Sequence, residues 1–464
     1  MLLAMLDGLT VGHLFLLVLA LAIVFMFEFV NGFHDTANAV ATVIYTNSMR
    51  PIPAVIWSGL CNFCGVYLGG IAVAFSIVHL LPVDLLVNIN TSAGLAMVLA
   101  LLISAITWNL GTWYLGLPAS SSHALIGAIL GVGLTNGLLA GEYFGTGLNW
   151  SKAKEVGLVL LLSPVLGFCL AAVLLLISRK LIPNPKLYTA PENGKPPPFW
   201  LRALLFLTCT GVSVVHGSND GQKGVGLVML VLIGLLPAHY SLNLQHDADE
   251  IARVVDAAAE IDRLLAAEGF PVDEPRLHSG CVQEILQGKK SFHDVPAEKR
   301  WQVRAALLHL DHHVQERINV LGPELSEAKR KQLSALRKEL VAATEYAPAW
   351  VLMAVAISLG LGTTIGWKRI VVTVGERIGK SHLTYAQGGI AEMVAMSTIG
   401  LAVFGGLPVS TTHVLSSAVA GTMAANRSGV EQRTVSKIAL AWLLTLPATM
   451  LLSGLLLVLF RWII

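Results

Sequence analysis

Charge is scarce in this 464-residue chain. Asp, Glu, Lys and Arg make up only 13% of it, about half the roughly 25% of a soluble domain. That excludes an ordinary soluble globular protein. Short alternating apolar segments are also absent, which excludes a membrane β-barrel. No HExxH occurs, and no nucleophile stands beside a base at a convincing spacing, which argues against a hydrolase of phosphate esters. The N-terminus lacks a basic n-region and a small-residue cleavage site, so it reads as a first membrane segment and not a removed signal peptide. Only five cysteines occur. Cys61, Cys64, Cys169 and Cys209 lie in apolar segments; Cys281 does not. The Cys61–Cys64 pair reads as small helix-packing residues in preference to a metal or redox CxxC.

What the chain has is apolar length. Mean hydropathy is +0.68, and long runs recur at 11–30, 95–108, 156–177, 349–362 and 438–459. A span needs about 20 apolar residues. The expectation is an all-α polytopic protein of the inner (plasma) membrane with about 10–12 transmembrane helices, some interrupted by Gly, Pro or Asn. A homo-oligomer is left open.

One stretch breaks this pattern. Residues 243–345 hold 18 of the 29 acids and 14 of the 31 bases, leaving 11 acids and 17 bases elsewhere. Runs at 251–265 and 321–342 have helical apolar spacing, which predicts an amphipathic insert of two to four helices. Its mixed charge does not suggest nucleic acid. His309, Asp311, His312 and His313 cluster there and read as a solvated helix face before a metal site. The basic, Pro-rich 179–202 and the basic loop of Lys368, Arg369, Arg377 and Lys380 should face the cytoplasm, and the insert with them. One span between insert and Lys368 would separate those two, unless a broken or re-entrant segment intervenes. The domain expectation is therefore a membrane repeat at 1–180, a basic linker and the start of a second repeat at 181–242, the insert at 243–345, and the rest of the second repeat at 346–464.

The repeats rest on duplicated polar motifs. Gly116-Leu117-Pro118-Ala119-Ser120-Ser121-Ser122-His123 returns as Gly406-Leu407-Pro408-Val409-Ser410-Thr411-Thr412-His413. More loosely, Asn31-Gly32-Phe33-His34-Asp35-Thr36-Ala37-Asn38 corresponds to His216-Gly217-Ser218-Asn219-Asp220-Gly221-Gln222-Lys223. Duplicated polar breaks in apolar segments point to a secondary transporter's site. Outside the insert, the ionisable residues in apolar settings are Glu28, His34, Asp35, His79, His123, His216, Asp220, Lys223, Glu392 and His413. Each charge at the bilayer centre costs at least ~2.5–3.5 kcal/mol, so such groups face a polar cavity or one another.

Each motif has a physical purpose. The Gly elements are expected to open their helices and free N–H groups that attract an anion. Pro118 and Pro408 suit the first turn of a new helix, which Ser120 or Ser410 would cap. Ser121, Ser122, Thr411 and Thr412 supply hydroxyl donors, and Asn38, Asn219 and Gln222 add amides. Two carboxylates repel a bare anion, so a cation must enter with it, or the anion must arrive protonated or metal-complexed. Asp35 and Asp220 then bind a cation, carry a proton, or accept from a phosphate O–H, which favours phosphate over sulfate. Lys223 either contacts phosphate as a point charge or neutralises Asp220. Glu28 and Glu392 are coupling groups or partners of a buried base. His123 and His413 orient the hydroxyls, relay protons, or serve structure.

These four segments in order resemble the inorganic phosphate transporter (PiT) family, across both membrane halves. The chain is especially similar to bacterial low-affinity phosphate permeases, which share the insert and the Thr384-Tyr385-Ala386-Gln387-Gly388 stretch. The resemblance implies an inverted-repeat fold of about 12 helices, phosphate held between the repeats, ion-coupled symport, arsenate as a competing substrate, and no cofactor. The family pattern is Gly-Ala-Asn-Asp-x-Ala-Asn-Ala. Here His34 replaces the first Asn of one copy and Lys223 the second Asn of the other. Neither suits Na⁺, which prefers oxygen ligands, whereas His titrates near neutrality. The similar permeases are proton-coupled and take phosphate as a neutral complex with Mg²⁺ or another divalent metal. Proton symport is therefore expected, with sodium symport and then an anion channel as alternatives.

Overall fold

The computed structural model describes residues 10–81, 91–141, 148–191, 195–267, 273–320 and 326–463. The first nine residues of the expected N-terminal segment, and 321–325 of the second amphipathic run, lie outside these. The chain divides into two compact units: Met1–Val18, Pro82–Leu95 and Met229–Ala347 in one; Leu19–Leu81, Ala96–Val228 and Pro348–Ile464 in the other.

Eight helices among the described residues are long and apolar enough to cross a membrane, or up to nine if Glu327–Thr344 and Ala349–Thr364 count together as one broken span. This corrects the expected 10–12. The shortfall lies in helices such as Ala72–Val78 and Thr411–Ala425, which are apolar but too short for a bilayer of about 30 Å at 1.5 Å per residue.

Within the larger unit, two helices begin at the Pro-hydroxyl elements. Ser121–Leu139 lies along Gln432–Ile463, and Thr411–Ala425 lies along Trp150–Leu181. Pro51–Leu68 lies along Ala349–Thr364. Lipid is as apolar as Leu, so membrane helices associate through close packing of small residues. Gly131 is one such residue: a Cβ there would fall 2.2 Å from the Met450 carbonyl oxygen. The Gly elements do the same. The Val11–Asp35 helix runs unbroken through Gly32, and Phe199–Leu235 runs unbroken through Gly217. The expected helix opening at these glycines is therefore incorrect.

In the other unit, four helices (Ala248–Ala267, Asp273–Leu286, Ala297–Val320 and Glu327–Thr344) occupy the polar stretch. Ile251, Val254, Ala258, Ile261 and Leu265 follow a helical stripe and enter a core with Val282, Phe292, Leu307, Leu310 and Leu340. Arg304 crosses this core. Its Nη1 donates to the carbonyls of Ser241 (3.1 Å) and Thr344 (2.9 Å), joining the two ends of the stretch. Burial pushes its pKa down to about 10, so it still donates as a cation at neutral pH. Arg304→Met leaves two buried acceptors unsatisfied, at about 1–3 kcal/mol each. Hydrogen exchange in the four helices should accelerate accordingly; unchanged protection would refute the clamp.

Candidate functional site

The Pro-hydroxyl elements form as turns into helix starts. Gly116 and Gly406 take positive φ, 67° and 64°, a region glycine enters without strain. Ser120 and Ser410 then cap the two helices, each side chain accepting from the backbone N–H three residues on at 3.2 Å, as their spacing predicts. Pro118 and Pro408 differ from expectation. They precede the cap by two residues instead of entering the first turn. In this position they hold the incoming chain extended. The first amides of each helix, at Ser121, Ser122, Thr411 and Thr412, have no intrahelical carbonyl, so each start carries the partial positive charge that suits an anion. The anion-attracting helix ends are thus here, and not at the Gly elements.

Both starts converge on Asp35. Its Oδ1 accepts from Thr412 Oγ1 at 2.5 Å and its Oδ2 from Ser121 Oγ at 3.1 Å. One donor comes from each copy of the motif. Asn38 Nδ2 donates to Thr411 Oγ1 (3.3 Å) and Thr412 Oγ1 (3.1 Å). Asp220 heads a second cluster. Its Oδ1 accepts from Lys223 Nζ at 2.5 Å and from Asn219 Nδ2 at 2.6 Å. Lys223 Nζ also donates to Ser122 Oγ at 2.6 Å. Ser122 Oγ and Asn219 Nδ2 both donate to the Val409 carbonyl, at 3.0 and 3.2 Å. All of these side chains are buried.

His216 joins the clusters and was not singled out among the site residues from sequence. Its Nε2 stands 3.2 Å from Asp220 Oδ2 and 3.9 Å from Asp35 Oδ2, though not aligned as a hydrogen bond. Its Nδ1 meets Asn62 Oδ1 at 3.0 Å. Asn62 Nδ2 donates elsewhere, to Thr363 Oγ1 at 2.8 Å, so Asn62 Oδ1 accepts and Nδ1 carries the hydrogen. The variable proton of His216 is therefore at Nε2, facing both carboxylates. The signals available were its place among the ionisable residues in apolar settings and its alignment with Asn31 in the looser motif pair. Asp35, His216 and Asp220 are also spaced to hold a metal ion.

His34 poses a similar proton question. Its Nε2 lies 3.2 Å from Thr112 Oγ1, whose own hydrogen goes to the Trp108 or Asn109 carbonyl. Nε2 is therefore the donor. Nδ1, 3.4 Å from Asp35 Oδ1, attracts that carboxyl only if it or Asp35 holds an additional proton. His123 and His413 face each other with ring centroids 4.3 Å apart, and Trp442 backs His413 at 4.0 Å while donating to the Pro118 carbonyl.

Among the described residues, several polar atoms here have no hydrogen-bond partner: both Glu28 oxygens, both Asn31 side-chain atoms, Asn38 Oδ1, Asn219 Oδ1 and Asp220 Oδ2. Acceptors predominate, and buried acceptors without donors call for a proton, a cation or a donor on the substrate. Gln222 and Glu392, also expected at the site, bond elsewhere. Gln222 accepts from the Val73 N–H at 2.7 Å and donates to the Gly69 and Ser218 carbonyls, which pins the backbone before the Ala72–Val78 helix. Glu392 accepts from Thr208.

Long apolar helices around a buried cluster of acids, hydroxyls and one lysine are the form of a multi-pass membrane protein with a polar site in its interior. The comparisons with known proteins give the particular family. The Phosphate transporter family matches residues 31–453, and the chain belongs to it. It is 43% identical to the low-affinity inorganic phosphate transporter PitB of Escherichia coli (strain K12), over 96% of this chain and 97% of that one. It is 44% identical to PitA of the same strain, over 95% of each. Among solved structures it resembles "The sodium-dependent phosphate transporter", with TM-score 0.55 and 20% identity over 97% of this chain and all of that one, a likeness of fold. The bacterial relatives agree with an inner (plasma) membrane location.

Proposed function

We propose that this chain is a secondary transporter importing inorganic phosphate by proton symport, with phosphate as a neutral complex of Mg²⁺ or another divalent metal. The observation that carries this reading is the convergence of Ser121 and Thr412, one from each motif copy, on the single carboxylate of Asp35. An inverted repeat is supported by reciprocal packing, since each helix that starts at a motif lies along the long helix following the other motif. On this reading residues 1–180 and 181–242 with 346–464 form the two repeats, and 243–345 is a cytoplasmic insert.

Shared donors couple proton to anion. When Asp35 is ionised it holds the Ser121 and Thr412 hydroxyls. When it takes a proton its demand for donors falls, and both hydroxyls turn to a phosphate oxygen beside the two helix starts. Asp220 does the same for Lys223: its protonation releases the ammonium to phosphate. Ser120, Ser122, Ser410 and Thr411 add donors, and Asn38 and Asn219 offer free carbonyl oxygens to a phosphate O–H or its metal. His34, His216, His123 and His413 hold or pass protons. Each ligand thus favours the other's binding by the same free energy, and the loaded, neutral site is the form suited to rocking between the two faces.

Uptake of labelled phosphate into proteoliposomes tests this, under an imposed pH or Na⁺ gradient, each with and without Mg²⁺. A pH gradient alone should drive accumulation, and Mg²⁺ should increase it. Asp35→Asn should abolish accumulation while the chain stays folded, because its partners are hydroxyls and histidines that accommodate a neutral amide. Normal gradient-driven uptake by Asp35→Asn would sink the assignment. A second reading, sodium symport, is favoured by Glu28 and Asn31, whose buried oxygens lack donors and are the hard ligands Na⁺ prefers. Accumulation driven only by Na⁺, and lost in Glu28→Gln, would establish that alternative.

A further inference from the structure

A cavity of about 630 Å³ opens beside the Gly116 turn, and none of its lining residues belongs to the Asp35–Asp220 clusters. Its walls carry three cations, Lys368, Arg369 and Arg377, and three aromatic rings, Trp113, Tyr114 and Trp367. The Lys368–Val372 helix continues into the Thr373–Arg377 turn, so positions 369, 373 and 377 recur every four residues, close to one face. That face lies along the chain leaving the Ser92–Tyr114 helix. Arg369 Nη1 donates to the Tyr114 carbonyl at 2.9 Å, and Thr373 Oγ1 to the Gly116 carbonyl at 2.7 Å. Trp113 Nε1 donates to the Gly366 carbonyl at 2.8 Å, which fixes the aromatic wall.

Most of this charge has no partner. An arginine carries five N–H donors, and Arg369 uses one on Tyr114. Among the described residues, none of the three cations pairs with a carboxylate. The acid next to Arg377, Glu376, engages Tyr45. Capping the end of the Ser92–Tyr114 helix accounts for Arg369, but not for Lys368 or Arg377.

We propose that this cavity binds the headgroup of an anionic phospholipid, its phosphate held by Lys368, Arg369 and Arg377. Arg and Lys donors match phosphate oxygens. Trp and Tyr gather at the membrane–water boundary. Leu115 on the cavity wall and Ile365 next to Gly366 leave large apolar side chains exposed, a surface that suits the acyl chains of a lipid and offers dissolved phosphate nothing. Arg369 lies over the Trp113 and Tyr114 rings at 5.1 and 5.0 Å. It fills the place a choline would take, which favours an anionic headgroup over a zwitterionic one. Basic pockets between membrane helices on the cytoplasmic side bind such headgroups, and the basic 368–380 loop is expected on that side.

The test uses the full chain in detergent micelles, with bound lipid counted by native mass spectrometry. Phosphatidylglycerol, phosphatidylcholine and inorganic phosphate are titrated in separate arms. The chain should retain phosphatidylglycerol in preference to phosphatidylcholine, and inorganic phosphate should not displace it. Lys368→Gln/Arg377→Gln should weaken phosphatidylglycerol binding about fivefold for each charge removed. Arg179→Gln/Lys180→Gln removes the same charge outside the cavity and should not. All four side chains are exposed, and size-exclusion chromatography confirms that both pairs fold. Equal retention of the two lipids, unchanged binding in the cavity pair, or an equal loss in the control pair would overturn the proposal. Displacement by inorganic phosphate would also overturn it, by assigning the cations to the free anion. Lipid is counted without transport, so a failure here is distinct from a failure of proton coupling.

Discussion

Asp220→Asn should eliminate phosphate accumulation and also cut the yield of folded protein, whereas the double variant Asp220→Asn/Lys223→Gln should recover the yield and stay inactive. Lys223 is fully buried. Among the described residues its ammonium has two acceptors, Asp220 Oδ1 at 2.5 Å and the neutral Ser122 Oγ at 2.6 Å. Neutralising Asp220 strands a charge in a low dielectric. Breaking one partner of a buried pair costs about 3–5 kcal/mol, against a total stability of about 5–15 kcal/mol. Removing both charges together avoids most of that penalty. Asp35→Asn escapes it because no lysine or arginine pairs with Asp35 among the described residues. The measurements are folded yield by size-exclusion chromatography and uptake in proteoliposomes. Uptake restored in the double variant would make the ion pair a structural brace and remove both residues from the transport cycle.

Much of this site was legible because its residues are chemically expensive. A carboxylate, an ammonium and runs of hydroxyls in apolar segments need a reason, and duplication supplied one. The caps at Ser120 and Ser410 were legible for a local reason: a Pro, then a hydroxyl, then a helix. What stayed hidden depends on which helices meet. Gln222 lies inside a signature motif, yet its amide reaches across to the Gly69 and Val73 backbone. His216 became a proton candidate only once Asn62, 154 residues earlier in the chain, fixed its Nδ1 hydrogen. Glycine was the most ambiguous residue. The same Gly opens a helix or lets a neighbour approach, and only the neighbour's position decides which.

Gly217→Ala separates those two roles. If Gly217 existed to open its helix, alanine, the better helix former by about 0.8–1.0 kcal/mol, would leave a stable, rigidified chain that fails only in transport. The structure points the other way. A Cβ at Gly217 would lie 2.2 Å from the Asn62 carbonyl oxygen and 2.7 Å from Asn62 Cα, and one at Gly65 would lie 2.1 Å from the Val214 carbonyl oxygen. The Pro51–Leu68 and Phe199–Leu235 helices therefore touch backbone to backbone, with no side chain between them to yield. Overpacking of this kind costs about 1–3 kcal/mol, in a membrane where close packing is itself the force joining helices. The same displacement would draw Asn62 away from His216 and release the tautomer it holds. Gly217→Ala should therefore lower the thermal midpoint in detergent and lose uptake together. Gly111→Ala is the control, since a Cβ there meets nothing within 4 Å, and it should be neutral or slightly stabilising. A Gly217→Ala chain as stable as Gly111→Ala but inactive would restore the helix-opening role and, with it, an anion site at the Gly elements.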